Sequence, residues 1–165
     1  MSAPDFDSLV RDHADMIRRI ASSYEYVPAA ADELMQEILL AVWRSLDRFR
    51  GESSLRTWIA RIAHNVSVSH VRRAMRRPPV DHAEAPELAD DSAEPSATLA
   101  AYDERAQLLA AIQQLPLGQR QVLSLHLEDF DYGEIADALG ISVTNVGARL
   151  TRARQALARH LEPSA

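Results

Sequence analysis

The chain has 165 residues, 47% of them hydrophobic, so one ordinary domain or two small ones can build real cores; with no cysteine, a disulfide framework and a thiolate metal site are excluded. No run approaches the length of a membrane span and the N-terminus MSAPDFDSLV is acidic rather than signal-like, so a soluble cytoplasmic protein without membrane insertion is expected. The net charge of −6 excludes a uniformly basic nucleic-acid binder, but the charge is distributed in blocks.

A first helix is expected along Phe6, Leu9, Val10, Ile17, Ile20 and Tyr24, apolar at helical spacing and ended by Pro28. His13 on it reads as a surface residue. A second amphipathic helix runs from about Ala30 to Arg48, with Leu34, Ile38, Ala41, Val42 and Leu46 on one side. Its other side shows Asp32, Glu33, Gln36, Glu37 and Arg44. Such a face is usually just solvated. Here the acids gather in the first two turns beside Met35, Leu39 and Trp43, and apolar residues next to an acidic cluster make a protein-docking surface. Residues 1–43 together carry −5.

Residues 44–77 reverse the sign, with nine arginines against two acids. The segment from Phe49 to Ser54 breaks the helix at Gly51, and Ser53 or Ser54 can cap the next. That third helix reaches about Arg77, with Leu55, Trp58, Ile59, Ile62, Ala63 and Val66 as its apolar side. Arg56, Arg61, Arg72, Arg73, Arg76 and Arg77 make it strongly basic. With Trp58 and Asn65 it can hold single-stranded DNA by stacking, hydrogen bonding and phosphate pairing. Trp58 is equally consistent with a core position.

Residues 78–97 contain four prolines, six acids and hardly any large apolar residue, the composition of a flexible acidic linker. A second helical domain starts near Thr98. Leu99, Tyr102, Ala106, Leu109 and Ile112 define a helix that stops at Leu115-Pro116, and Leu117 to Leu127 define another. Asp131 followed three residues on by Glu134 is a capping-box spacing. Ile135, Ala136 and Leu139 give that helix an apolar face, and Gly140 ends it in a left-handed turn. Ser142 can cap a final helix carrying Val146, Leu150, Ala153 and Leu157. This is the pattern of a helix-turn-helix. There is no acid between Ile141 and Leu161, and Arg149, Arg152 and Arg154 are expected on one side of the last helix. Arginines suit phosphates, and Thr144 and Asn145 at the helix start suit base edges. Two basic blocks separated by an acidic one suggest two DNA contacts joined by a tether.

Catalysis is poorly supported. The six histidines form no metal-ligand spacing and the five glycines no phosphate loop, so neither a metal, a cofactor nor an enzyme activity is expected.

The arrangement resembles bacterial RNA polymerase sigma factors of the sigma-70 family, specifically the small extracytoplasmic-function (ECF) group. Three stretches carry the resemblance over roughly residues 6–77 and 98–160. Asp32-Glu33-Leu34-Met35-Gln36-Glu37 is similar to the group's acidic D-L-x-Q-E docking motif, with the first two acids in reversed order. Phe49-Arg50-Gly51 with Ser54 to Asn65 resembles its promoter-melting segment. Leu115-Pro116, Gln119 to Leu123, Tyr132 to Ala136 and Arg149 to Arg154 resemble its C-terminal promoter-binding domain.

The resemblance implies an all-α fold of two small helical domains: a region 2-like N-terminal bundle (1–77) and a region 4-like four-helix domain with the helix-turn-helix (98–165), joined by the acidic linker (78–97). It implies core RNA polymerase and promoter DNA, duplex and single-stranded, as partners, with an anti-sigma factor as a further candidate. Asp32, Glu33, Leu34, Gln36 and Glu37 would dock on the polymerase clamp, although Leu34 also fits the core. Phe49, Arg50, Gly51, Ser54, Arg56, Trp58, Arg61 and Asn65 would bind the minus-10 element, where a base turned out of the stack is read in a pocket. Thr144, Asn145, Ala148, Arg149, Thr151, Arg152 and Arg154 would bind the minus-35 element in the major groove. Gly147 and Ala148 depart from the group, which often has Lys or Arg followed by Ser or Thr there, and Leu117 replaces a frequent Pro or Lys. The implied function is initiation of transcription. The alternative is a sigma mimic that sequesters an anti-sigma factor, and a decoy has no need of the retained arginines. A helical DNA-binding repressor would not need the acidic docking face.

Overall fold

The structure, a computed structural model, describes residues 4–76 and 99–162; the expected linker lies outside the described residues. Among these, the regular structure is entirely helical. Helix α1 (Phe6–Tyr24) is followed by α2 (Pro28–Ser45), a 3₁₀ turn (Leu46–Arg48) and α3 (Leu55–Arg76). The C-terminal group comprises α4 (Leu99–Gln113), α5 (Leu117–Leu127), α6 (Tyr132–Leu139) and α7 (Val143–Leu161).

Local chemistry sets the boundaries. Asp5 caps α1 by accepting from the Ser8 amide at 3.2 Å. The helix stops at Tyr24, ahead of Pro28; that proline instead opens α2 at its first position, where its missing N–H would be unsatisfied anyway. Of the two candidate caps for α3, Ser54 does the capping: its hydroxyl accepts from the Thr57 amide at 3.1 Å. In α6, Asp131 Oδ1 accepts from the Glu134 amide at 2.8 Å and Glu134 Oε2 from the Asp131 amide at 2.9 Å, a complete capping box. Gly140 ends α6 at φ 67°, and Ser142 caps α7 through the Asn145 amide at 3.1 Å.

Helices α1, α2 and α3 pack together through Leu9, Ile17, Ile20, Tyr24, Leu34, Ile38, Val42 and Ile59. Helix α7 packs on α5 and α6 through Val146, Leu150 and Ala153. The two groups do not stand apart. Helix α3 lies against α6 and α5, and α1 against α4 and α5, so the cores merge into one apolar cluster. This two-sided packing rotates the buried face of α3. Thr57, Ala60, His64, Ser67 and Val71 are buried with Ile59 and Ala63, whereas Leu55, Trp58, Ile62 and Val66 are only half-buried. His13, expected at the surface, is half-buried too, and burial lowers its pKa.

Candidate nucleic-acid interface and docking face

The last helix presents the clearest surface. Val146, Leu150, Ala153 and Ala156 seal one side of α7 against the core. The opposite side leaves Thr144, Ala148, Thr151 and Arg152 exposed, with no ion pair to Arg152 among the described residues. This is the side that a groove-reading helix turns to DNA. The three arginines do not share it, contrary to the sequence expectation. Arg149 is half-buried: its Nε donates to Asn145 Oδ1 at 3.0 Å, and its guanidinium fills the space beside Gly118, where a Cβ would lie 3.0 Å from Nη1. Arg154 turns towards α5, where Nη2 donates to His126 Nε2 at 2.9 Å. Residues two apart on a helix point away from each other, so Arg152 and Arg154 could not lie together. Arg152 is the outward cation, and Arg149 and Asn145 brace each other across one turn.

On α2 the acidic cluster splits. Asp32, Glu33 and Gln36 are exposed. Glu37 is half-buried and engaged: Arg73 Nη2 lies 2.8 Å from its carboxylate and His70 Nδ1 3.6 Å. Leu34 is fully buried and belongs to the core, as does Met35, while Leu39 packs against its edge. Burial removes Leu34 and Met35 from the exposed surface, which for Leu34 is the core position that the sequence also allowed, and leaves Leu39 half-buried. The exposed apolar residues beside the acids are Leu40 at 45% and Trp43 at 58%. Leu40 was missed, and its signal was helical register: Gln36, Leu40 and Trp43 stand at i, i+4 and i+7. A groove of about 600 Å³ runs between α2 and α3, lined by Leu40, Arg44, Asn65, Ser69 and Arg73 among others.

The third candidate region is divided between open and engaged residues. Arg50, Gly51, Ser54 and Asn65 are exposed, and Gly51 adopts φ 74°. Arg50 Nη1 donates to the Asp47 carbonyl at 3.0 Å, which folds the loop back on the 3₁₀ turn. Phe49 packs on Trp58 with ring centroids 5.2 Å apart, so Trp58 is a half-buried support for the loop. Arg56 and Arg61 point to the C-terminal helices. Arg56 donates to the Glu128 carbonyl with its guanidinium 3.7 Å over the Phe130 ring, and Arg61 Nη2 donates to the Asp137 carbonyl at 3.0 Å.

Between the two groups lies a polar network absent from the sequence expectations. His64 is 1% exposed and contacts the Tyr24 hydroxyl through Nδ1 and Ser124 Oγ, 3.4 Å away, through Nε2. Ser124 donates its own proton to the Gln121 carbonyl at 3.0 Å, so it accepts from Nε2–H, and Nδ1 accepts from Tyr24. Burial pushes the His64 pKa down to about 3 and raises that of Tyr24 above its usual value. Arg120 is also buried: Nη2 donates to the Gln113 and Leu115 carbonyls at 2.6 and 3.2 Å, tying off the end of α4, and burial lowers its pKa.

The comparisons with known proteins agree with this geometry. The family model of Sigma-70 region 2 matches residues 9–77, and that of Sigma-70 region 4 matches residues 105–157. The ECF RNA polymerase sigma-E factor of Escherichia coli is 30% identical over 168 residues, covering 96% of this chain and 87% of that protein. The chain belongs to the sigma-70 family, in its ECF group. A second ECF relative, sigma factor SigG of Mycobacterium tuberculosis, is 35% identical over 158 residues, and the match spans 82% of this chain but only 42% of that longer protein. Among solved structures, CnrH in complex with the cytosolic domain of CnrY superposes with a TM-score of 0.71 at 27% identity, covering 97% of this chain and 89% of CnrH. Among the described residues of this sigma-family chain, no group of His, Cys, Asp or Glu is placed to hold a metal ion, and no helix is long and apolar enough to cross a membrane.

Proposed function

We propose that this chain is a dissociable sigma factor that binds core RNA polymerase, directs it to a two-part promoter and promotes opening of the duplex. The observation that carries the reading is the outer face of α7, where Thr144, Ala148, Thr151 and Arg152 stand exposed on the second helix of a capped helix-turn-helix. Residues 1–77 act as the polymerase-docking and minus-10 domain, 78–97 as an acidic linker, and 98–165 as the minus-35 domain. On α2, Asp32, Glu33 and Gln36 with Leu40 and Trp43 form the docking face; exposed acids followed along the helix by exposed apolar residues suit a basic, partly apolar partner. Gly51, Ser54 and Asn65, together with Arg50, Arg56 and Arg61, meet the separated minus-10 strand, and Phe49 and Trp58 stiffen their loop. Arg152 contacts phosphate, Thr144 and Ala148 approach base edges, and Arg149 holds Asn145 in place. A protein of this kind positions nucleic acid for the polymerase and is not itself an enzyme, and it acts in the cytoplasm, where the polymerase is. An anti-sigma factor is a further partner, by analogy with the sigma factor RpoE of Bartonella quintana, solved in complex with the anti-sigma factor NepR.

The test is promoter-dependent transcription by purified core polymerase with and without the chain. Initiation at discrete sites only when the chain is present is the expected outcome. Retention on polymerase without initiation would point to a sigma mimic, and DNA binding without polymerase association to a repressor.

A further inference from the structure

One arginine of the last helix is held by a group that can keep it in only one protonation state. We propose that His126 parks Arg154 in the free chain, that duplex DNA draws Arg154 away to a phosphate, and that His126 then takes up a proton. His126 is thus a positioning residue for a second backbone contact, and duplex binding is coupled to its protonation. This rests on the reading of α7 as the duplex-reading helix.

The place of Arg154 on the helix supplies the contact. At about 100° per residue, Arg152 stands to one side of Thr151 and Arg154, about 60° away, to the other. Both arginines are exposed. A helix in the major groove runs between two sugar-phosphate backbones, so arginines on its two flanks meet different strands. Arg152 has no ion pair among the described residues. Arg154 is turned back, and its Nη2 donates to His126 Nε2 at 2.9 Å. A guanidinium has only protons to give, so this bond requires a bare Nε2 and places the imidazole proton on Nδ1. The acceptor is a neutral ring. A phosphate, being charged, holds an arginine more strongly and wins the exchange.

The surroundings of His126 suit the second step. Tyr132 from α6 meets its ring edge-on, with centroids 6.3 Å apart at 70°. The bare backbone at Gly147 leaves room for Tyr132 against α7, since a Cβ there would lie 3.6 Å from Cε2. His126 stands in the last turn of α5, where the carbonyl end of a helix favours a cation. The nearby Glu128 is bound to Arg19 of α1 at 2.6 and 2.9 Å, and its carbonyl accepts from Arg56 of α3. No carboxylate pairs with His126 among the described residues. While Arg154 occupies the Nε2 lone pair, that nitrogen cannot hold a proton. Once Arg154 leaves, Nε2 takes one from water, Nδ1 keeps its own, and the imidazolium lies beside the phosphate that drew the arginine away.

Anisotropy of a tetramethylrhodamine-labelled duplex of mixed sequence, titrated with the full chain at low salt, tests both steps. Phosphate contacts do not depend on sequence, so such a duplex suffices. A complex that holds more protons than its separate parts tightens as pH falls. Between about pH 8 and about pH 6, wild-type affinity is expected to rise about threefold to tenfold more than that of His126→Gln. The glutamine oxygen still accepts from Arg154 but takes no proton, and the half-buried site at a helix end leaves the core intact. Arg154→Ala is expected to lower the salt slope by about 0.9, the share of one phosphate. Equal pH dependence in wild type and His126→Gln would overturn the proposal, and so would an unaltered salt slope in Arg154→Ala. Arg152→Ala then shows which reading has failed. If it too leaves the salt slope unchanged, α7 does not read duplex DNA; a lowered slope there confines the failure to His126 and Arg154.

Discussion

Acidification should loosen this protein through His64 more than through any surface group. The ring is 1% exposed between α1, α3 and α5, and its pKa falls from 6.5 to about 3 in the folded chain because burial disfavours the charged form. For a base with a depressed folded pKa, stability is undiminished above the unfolded value. It declines as pH drops below 6.5, where the unfolded chain takes up a proton that the native chain refuses, and levels off near pH 3. At about pH 5 the loss is about 2 kcal/mol relative to about pH 8. Urea unfolding at these two pH values, compared between the wild type and His64→Phe, isolates the effect, because every other ionisable group is common to both chains. His64→Phe leaves the Tyr24 and Ser124 hydroxyls without their ring partner, which lowers its baseline stability by about 1–3 kcal/mol. Only the wild type should then show the additional loss of about 2 kcal/mol on acidification. Parallel declines in the two proteins would refute the assignment of a neutral, sealed imidazole.

Further outcomes follow from other parts of the molecule. Arg152→Ala should weaken duplex promoter binding and reduce the salt slope by about 0.9, the share of one phosphate contact, and fluorescence anisotropy across a salt series measures both. Asp32→Arg with Glu33→Arg should abolish retention on core polymerase in a pull-down while circular dichroism stays native. Glu37 is left out because its reversal would disturb Arg73 and His70. Leu34→Ala should cost about 2–5 kcal/mol in urea unfolding, whereas exposed Gln36→Ala stays within about 0.5 kcal/mol. Gly140→Ala and Gly147→Ala should differ in sign. Gly140 needs φ 67°, so a Cβ there costs about 1–2 kcal/mol, whereas Gly147 lies inside α7 with 3.6 Å of clearance to Tyr132, so alanine stabilises by about 0.5–1 kcal/mol.

Much of this protein is local, and local features were legible in the sequence. The capping box at Asp131 and Glu134, the left-handed Gly140, and the caps at Ser54 and Ser142 depend on residues within four positions of one another. Helical periodicity likewise marked the core of α7, where one partner surface suffices. Motif order then identified the family, because three specific stretches in sequence need no three-dimensional contact to be recognised.

Tertiary structure decided which side of each helix is used. Helix α3 is packed from two directions, so a single apolar stripe misjudged its buried face and overlooked His64. On α2 a place beside the acids suggested a surface role for Met35, although packing against α1 and α3 buries it together with Leu34 of the expected apolar stripe and leaves Leu40 and Trp43 outside. Pairings such as Arg19 with Glu128 and Arg61 with Asp137 span 109 and 76 residues. Sequence alone determined the helices, several of their caps and their kinship, since hydrogen bonds and side-chain period act over a few residues. Only the folded chain settled which arginines face solvent and which face another helix, because that choice depends on the shape of distant surfaces brought into contact.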